Sequence, residues 1–251
     1  MGIRLVSDMP RRAAVEALAA FAFRDLGCFH LEFSDRNITP ADLDGLAFEH
    51  HMWVGYRIDL RANAEKIFRD MSEKSCRYSI RKSARLGVVI EEARDEAFAD
   101  DYYAQLQDVF AKQSLVPTYD KRRVQCLIKH LLPTGNILLL RARDPSGRCI
   151  ATGIFVGASQ FAVFWGNASW RQDQHLSPNE AMHWHAIQYW KARGAHWYDL
   201  GGGRYKRKYG GMQCEGFVFR KSRYPWVAKA RDIAYRGFQS KQKLLGWLKR
   251  D

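Results

Sequence analysis

Residues 198–211 read YDLGGGRYKRKYGG, a stretch in which five glycines bracket four cations. Glycine lets backbone come close to a ligand and clustered Lys and Arg attract phosphate, so the stretch has the composition of an anion site. A solvated basic loop has the same composition, and glycines also make turns. A second cluster, Arg77, Arg81, Lys82 and Arg85, sets three guanidinium groups at i, i+4 spacing along one face of a helix. Like charges stacked this way repel, a strain relieved by an anion bound across them or by carboxylates from a neighbouring element. Other chemistries find less support. His183 and His185 are two apart, hence on different faces of a helix, and no histidine shows metal-ligand spacing, so no metal is expected. Cys28, Cys76, Cys126, Cys149 and Cys214 are widely spaced without a CxxC, and no G-x-S-x-G elbow occurs.

The 251 residues carry 40 Lys plus Arg against 27 Asp plus Glu, a formal charge of +13, and 47% of them are apolar. Such a chain buries a core without disulfides or metal and is not disordered. The charge is uneven: Gly201 to Asp251 holds 14 Lys plus Arg and 3 Asp plus Glu, a net of +11. An anionic partner is therefore expected toward the C-terminus, whether a nucleotide cofactor, a tRNA, a lipid-linked pyrophosphate or an anionic membrane face. The opening MGIRLVSDMPRR lacks an apolar run of secretory length, and the irregular cysteines suit a reducing compartment, so a cytoplasmic protein is expected. Cys149 to Trp170 carries no formal charge over about the ~20 residues of a bilayer crossing. Gly157-Ala158-Ser159-Gln160 splits it into IATGIFV and FAVFWGNA, which predicts a buried hairpin instead.

The elements that must position these clusters follow from periodicity. A helix capped by Ser7 or Asp8, with Pro10 in its first turn, ends before Gly27; CFHLEF is a strand, and Val54, Tyr56, Ile58 and Leu60 alternate as another. One charged helix is expected from about Ala62 to Leu86, stopped by Gly87. VVIEE is a short strand, followed by helices over Asp95–Gln113 and from Asp120 to near Pro133. Asn136–Arg143, Arg148–Val156 and Phe161–Ala168 form an antiparallel meander whose first turn is Asp144-Pro145-Ser146-Gly147. A helix from Pro178 to Arg193, the strand HWYDL, the strand CEGFVFR and a basic helix from Trp226 complete the chain. Trp165, Trp184, Trp190 and Trp197 are read as core. On the last helix Val227, Ala230, Ala234, Phe238, Leu245 and Leu248 share a face, which packs on the domain or, with Trp247, lies on an anionic leaflet. The order predicts an α/β (α+β mixed) fold, a mixed, mostly antiparallel sheet flanked by helices.

From Ser79 to Gly211 the sequence resembles the FemAB-like branch of the GNAT-fold acyltransferases, which includes peptidoglycan-bridge aminoacyltransferases and acyltransferases linked to envelope polysaccharides. The matching pieces, in order, are SIRKSARLGV, the meander, SPNEAMHW, YDLGG and YKRKYGG, where the family shows FK, two residues and FGG. The resemblance implies a GNAT-like acyltransferase fold. Residues 1–60 would be the remnant of a first GNAT-like unit, a truncated N-terminal half-domain; 61–225 the acyltransferase domain; and 226–251 a basic C-terminal helix. Lys206 falls on the family's lysine, which implies a cation beside the reacting carbonyl or the leaving phosphate. Arg204, Lys208 and the cluster from Arg77 would hold anionic groups, while Tyr198, Gly201 and Gly202 shape the floor of the site and Tyr205 stands for the usual phenylalanine. Asp199 either receives the proton of an attacking amine or holds the glycine turn, the commoner use of such a residue. The loop that cradles pyrophosphate in coenzyme-A-using relatives reads WRQDQHLSP here, without glycine, which weakens or removes that cradle and leaves Arg171 as a substitute phosphate ligand.

The implied activity is transfer of an acyl or aminoacyl group, from acyl-CoA or aminoacyl-tRNA, to an amine of a cell-envelope or polysaccharide precursor. That chemistry needs a positioned donor, a neutral amine and stabilisation of developing negative charge, with no obligatory covalent nucleophile. The expected partners are an anionic donor, an amine acceptor on a lipid-linked or nucleotide-sugar precursor, the inner membrane through a peripheral contact, and a second copy or partner that completes the N-terminal sheet. A non-catalytic module binding tRNA, other nucleic acid or anionic lipid fits the same residues.

Overall fold

The computed structural model describes residues 9–35 and 37–248. In chain order its elements are α1 (Arg11–Ala20), β1 (His30–Ser34), β2 (Glu49–Asp59), α2 (Ala64–Asp70), α3 (Tyr78–Arg85), β3 (Val89–Ala93), α4 (Phe98–Lys112) and α5 (Lys121–Leu131). Then come β4 (Ile137–Arg143), β5 (Cys149–Ala158), β6 (Phe161–Ser169), α6 (Pro178–Ala192), β7 (Trp197–Gly202), β8 (Met212–Ser222) and α7 (Pro225–Leu248). Two compact units form. One comprises the described residues up to Gly55 with Cys214–Lys241, the other Tyr56–Gln213 with the described residues from Gln242.

In the larger unit the strand order is β2-β7-β6-β5-β4-β3, with β2 entering from Tyr56. From β3 to β6 neighbours are antiparallel, while β6 and β7 run parallel, giving the mixed sheet that the sequence predicts. The uncharged stretch from Cys149 is the β5–β6 hairpin, and no helix among the described residues is long and apolar enough to cross a membrane. In β4, Ile137 to Ala142 are all buried, because helices cover both faces of the sheet. Phe155, Met182, Trp190 and Tyr198 fill the α6 face; Phe98, Tyr102, Leu106, Val124 and Ile154 fill the α4–α5 face. Asp120 caps α5 as its position predicts, accepting the Arg123 N–H. The nearly buried Arg141 of β4 ties down the start of α4, reaching Asp95 at 2.6 and 2.8 Å and Asp101 at 2.7 Å. This ion pair holds the Asp95 carboxyl below its ordinary range.

One expected element is different. The charged helix from about Ala62 to Leu86 is broken into α2, an extended Met71–Ser72, a π-helical turn Glu73–Arg77, and α3. Tertiary contacts override the local periodicity. Met71 is drawn into the core, where the Cys76 Sγ lies 3.6 Å from its Sδ, and the Ser72 N–H donates to the Lys208 carbonyl at 2.9 Å.

The smaller unit packs Val15, Ile38, Leu43 and Phe219 with Phe33, Phe48 and Phe217. Here β1 pairs antiparallel with β8, from His30↔Ser222 to Ser34↔Val218. Pro10, expected in the first turn, stands just before α1; the candidate caps Ser7 and Asp8 lie outside the described residues, as do the side chains of Leu245, Trp247 and Leu248.

Packing of α6 onto the sheet depends on a missing side chain. A Cβ on Gly157 of β5 would sit 2.5 Å from the buried Trp190 ring, too close for a rigid indole to yield cheaply. Gly157→Ala is expected to destabilise the protein by about 1–3 kcal/mol through overpacking, read as a lower urea midpoint at unchanged slope.

Candidate active site

The parallel strands β6 and β7 pair only at Phe161↔Trp197, Ala162↔Tyr198 and Val163↔Asp199. Beyond Val163 both continue, β6 to Ser169 and β7 to Gly202, but they no longer pair. A bulge accounts for part of this divergence. Ile154 of β5 faces Gly166 and Phe155 faces Phe164, so Trp165 is an extra residue in β6, and a bulge bends the strand that contains it. Phe164 faces α6, while Trp165 meets Tyr102 and Tyr119 on the α4 side.

The basic loop closes on this divergence. After β7, Arg204–Tyr209 winds as a short 3-10 turn, and Lys206 folds back from it until only 8% of the residue is exposed. Its Nζ donates to the Leu200 carbonyl at 2.5 Å and lies 4.8 Å from the centre of the Phe164 ring. An ammonium has three N–H donors, and Leu200 takes one of them. Burial pulls the Lys206 pKa down, and the nearby Asp199 carboxylate acts against that pull. Asp199 also accepts the Gly201 N–H at 2.8 Å, holding the first glycine of the turn.

The loop is anchored along its length. The Lys208 carbonyl takes the Ser72 N–H, and the Lys208 Nζ donates to the Glu180 carboxylate in the first turn of α6. Gly210 has φ +73°, and a Cβ there would lie 2.6 Å from the Asp70 carbonyl oxygen, so both backbone conformation and space require glycine. Beneath the loop His183 is buried, its Nδ1 2.8 Å from the Tyr198 hydroxyl and its ring 4.5 Å from Tyr209 and 4.6 Å from Phe164. Burial first, then the charges of Lys206 and Lys208, push the His183 pKa down to about 3. Burial keeps the Tyr198 phenol protonated, and it pushes the Cys76 thiol up to about 12, leaving no thiolate nucleophile at that position.

A family model for the acetyltransferase (GNAT) domain matches residues 72–209, more than half of the chain, from the serine to the tyrosine that bound this arrangement. The chain belongs to the GNAT family. Solved structures share the fold. FemX aligns at 12% identity with a TM-score of 0.70 over 85% of this chain and 78% of its own. L-PGS from Bacillus licheniformis aligns at 10% identity and 0.57, over 86% and 74%. A conserved protein of unknown function from Bacteroides thetaiotaomicron VPI-5482 aligns at 11% and 0.60, over 84% and 75%. At such identities the likeness is one of fold. No curated protein matches the sequence.

Within the GNAT domain, Lys206, Asp199, Tyr198, Gly201 and Lys208 are gathered at the divergence, with the exposed Tyr205 ring 5.7 Å from the Lys206 Nζ. Gly202 and Arg204 are exposed. The arginine stripe is altered by the helix break: Arg77 belongs to the π-helical turn, and Glu73 takes both Arg77 at 2.6 Å and Arg81 at 2.7 Å. Lys82 is half-buried and Arg85 is exposed at the end of α3. Arg171 is held elsewhere, its N–H on Asp108 at 3.1 Å. Its side chain lines an open groove of 740 Å³ with Arg148 and Trp170, and another of 400 Å³ with Lys112 and Gln174. Sequence reasoning missed His183 and Glu180. His183 shares the stripe of Ala186, Ile187 and Trp190 at i+3, i+4 and i+7, a legible signal of burial, whereas the Glu180–Lys208 pair spans 28 positions and leaves no local trace.

The depressed His183 pKa fixes a pH dependence. The unfolded chain protonates this imidazole below pH ~6.5 and the folded protein only near pH 3, so stability is complete above the first value and falls as pH drops toward the second. Urea unfolding from pH 7 to pH 4 should lose on the order of 3 kcal/mol more in the parent than in His183→Gln; equal losses would show that the imidazole takes up its proton without opening the core.

Proposed function

We propose that this GNAT domain transfers an acyl or aminoacyl group to an amine of a cell-envelope or polysaccharide precursor. The observation that carries the proposal is the buried Lys206 cation at the opening between β6 and β7. As the amine nitrogen bonds to an activated carbonyl carbon, negative charge builds on the carbonyl oxygen; the leaving group then departs and the nitrogen sheds a proton. A desolvated ammonium fixed before the reaction stabilises that charge without reorganising. Leu200 and Phe164 fix its position, and the Asp199 carboxylate opposes the pull of burial on its proton. We assign Asp199 as the group that takes up the amine proton and Tyr205 as a wall of the site, while the wholly buried Tyr198 supports its floor from behind through His183.

Acyl-CoA fits as donor on two grounds. The strand edges past Val163 lack partners in each other, which suits the amides of a pantetheine arm, and the first turn of α6 has the helix-terminal N–H groups that suit a pyrophosphate. Bound there, acyl-CoA supplies the activated thioester. Aminoacyl-tRNA is the second donor class, favoured by the net charge of +11 from Gly201 onward. The envelope acceptor rests on the likeness of SPNEAMHW and YKRKYGG to FemAB-like enzymes and on the fold shared with FemX.

The test begins with thermal unfolding in acetyl-CoA, longer acyl-CoAs and charged tRNA, where the true donor raises the midpoint. Turnover with that donor should fall by on the order of 10² in Lys206→Met, while the midpoint holds or rises because a desolvated charge has been removed. Equal turnover would take Lys206 out of the mechanism. Anion binding without turnover for any donor would assign a non-catalytic module.

A further inference from the structure

The smaller unit bears a surface that acyl transfer does not use. Phe29, 56% exposed, lies 6.3 Å from Trp226, 61% exposed, and Tyr224 stacks on Trp226 at 6.2 Å with the planes 6° apart. The unit has a core of its own around Val15, Ile38, Leu43 and Phe219, so these rings face solvent by placement. The β1–β8 ladder sets that placement: past His30↔Ser222, the Arg223 N–H donates to the Phe29 carbonyl at 2.9 Å and fixes Phe29 beside the start of α7.

Along α7, Trp226 and Ile233 repeat at i, i+7 on one stripe, and Ile233 is 71% exposed. Three residues further on, Lys229 and Arg236 form a parallel, exposed stripe. The cations of this unit divide into two sets. Arg220 is neutralised by Glu32 at 2.7 Å, and Arg231 by Asp232 at 2.9 Å and Glu49 at 3.4 Å. Arg223, Lys229 and Arg236, beside the exposed rings, are in no ion pair among the described residues. Residues 220–241 hold seven Lys plus Arg and one Asp.

Rings and an aliphatic side chain bordered by cations in excess of carboxylates complement one partner above others. A bilayer interface accepts Trp and Tyr rings, and its anionic headgroups meet Lys and Arg reaching up beside them. A second copy docked on this surface would set the same cations against each other. A nucleic acid would engage the cations and leave Ile233 in water. We propose that Phe29, Tyr224, Trp226 and Ile233, bordered by Arg223, Lys229 and Arg236, dock this protein on an anionic lipid bilayer. The proposal is independent of Lys206 and of the acyl-transfer reaction.

The test is co-sedimentation of the full chain with vesicles of phosphatidylcholine alone or with a third phosphatidylglycerol, alongside circular-dichroism melting of every variant. Binding to the anionic vesicles should exceed binding to the neutral ones by at least about tenfold. Lys229→Glu with Arg236→Glu should abolish that excess. Trp226→Ser with Ile233→Ser, at unchanged net charge, should lower binding by at least about tenfold, with melting preserved in both pairs. Lys206→Met should bind as the parent does, which separates this surface from the reaction centre. Equal binding to both vesicle types would overturn the proposal, as would binding indifferent to the Trp226–Ile233 pair, which marks a purely electrostatic surface of the kind that takes nucleic acid. A dimer in light scattering that the Trp226–Ile233 pair dissociates would give the surface to a second copy and likewise overturn it.

Discussion

Holding an ammonium group out of water is unfavourable unless its surroundings replace the lost hydration, and the larger unit is arranged around that requirement at Lys206. The Leu200 carbonyl, the face of Phe164 and the field of Asp199 each replace part of it. The Leu200 carbonyl lies just past the last pair of β6 and β7, Val163↔Asp199. The parting of the strands thus frees the carbonyl that receives the cation, and the cation occupies the gap that the parting makes.

Around that centre each tether has a second duty. Asp199 closes the turn at Gly201 and offsets the burial of Lys206. Glu180 fixes Lys208 to α6, the helix whose His183 supports the loop from below. His183 stays neutral because a further positive charge under Lys206 and Lys208 would be desolvated and repelled at once. Fixed polar groups of this kind are what electrostatic catalysis requires, since they need no rearrangement as charge develops.

Local pattern was a good guide wherever one element's own residues decide its state. The meander, the hairpin in place of a membrane span, the Asp120 cap and the strand into Gly201 could all be read from periodicity and turn residues. Pattern failed at Met71–Ser72, because the break between α2 and α3 is made by core burial of Met71 and by a hydrogen bond to Lys208, far along the chain. The arginine stripe was distorted by that same break. The YKRKYGG motif drew notice for its cations, yet Gly210 is required there for a steric reason that only the neighbouring Asp70 backbone reveals.

The jamming of Gly210 against Asp70, with Ser72 clasping Lys208, makes the cation's segment a buttress and not a flap. Whatever enters the parting of β6 and β7 would therefore meet a wall already in place.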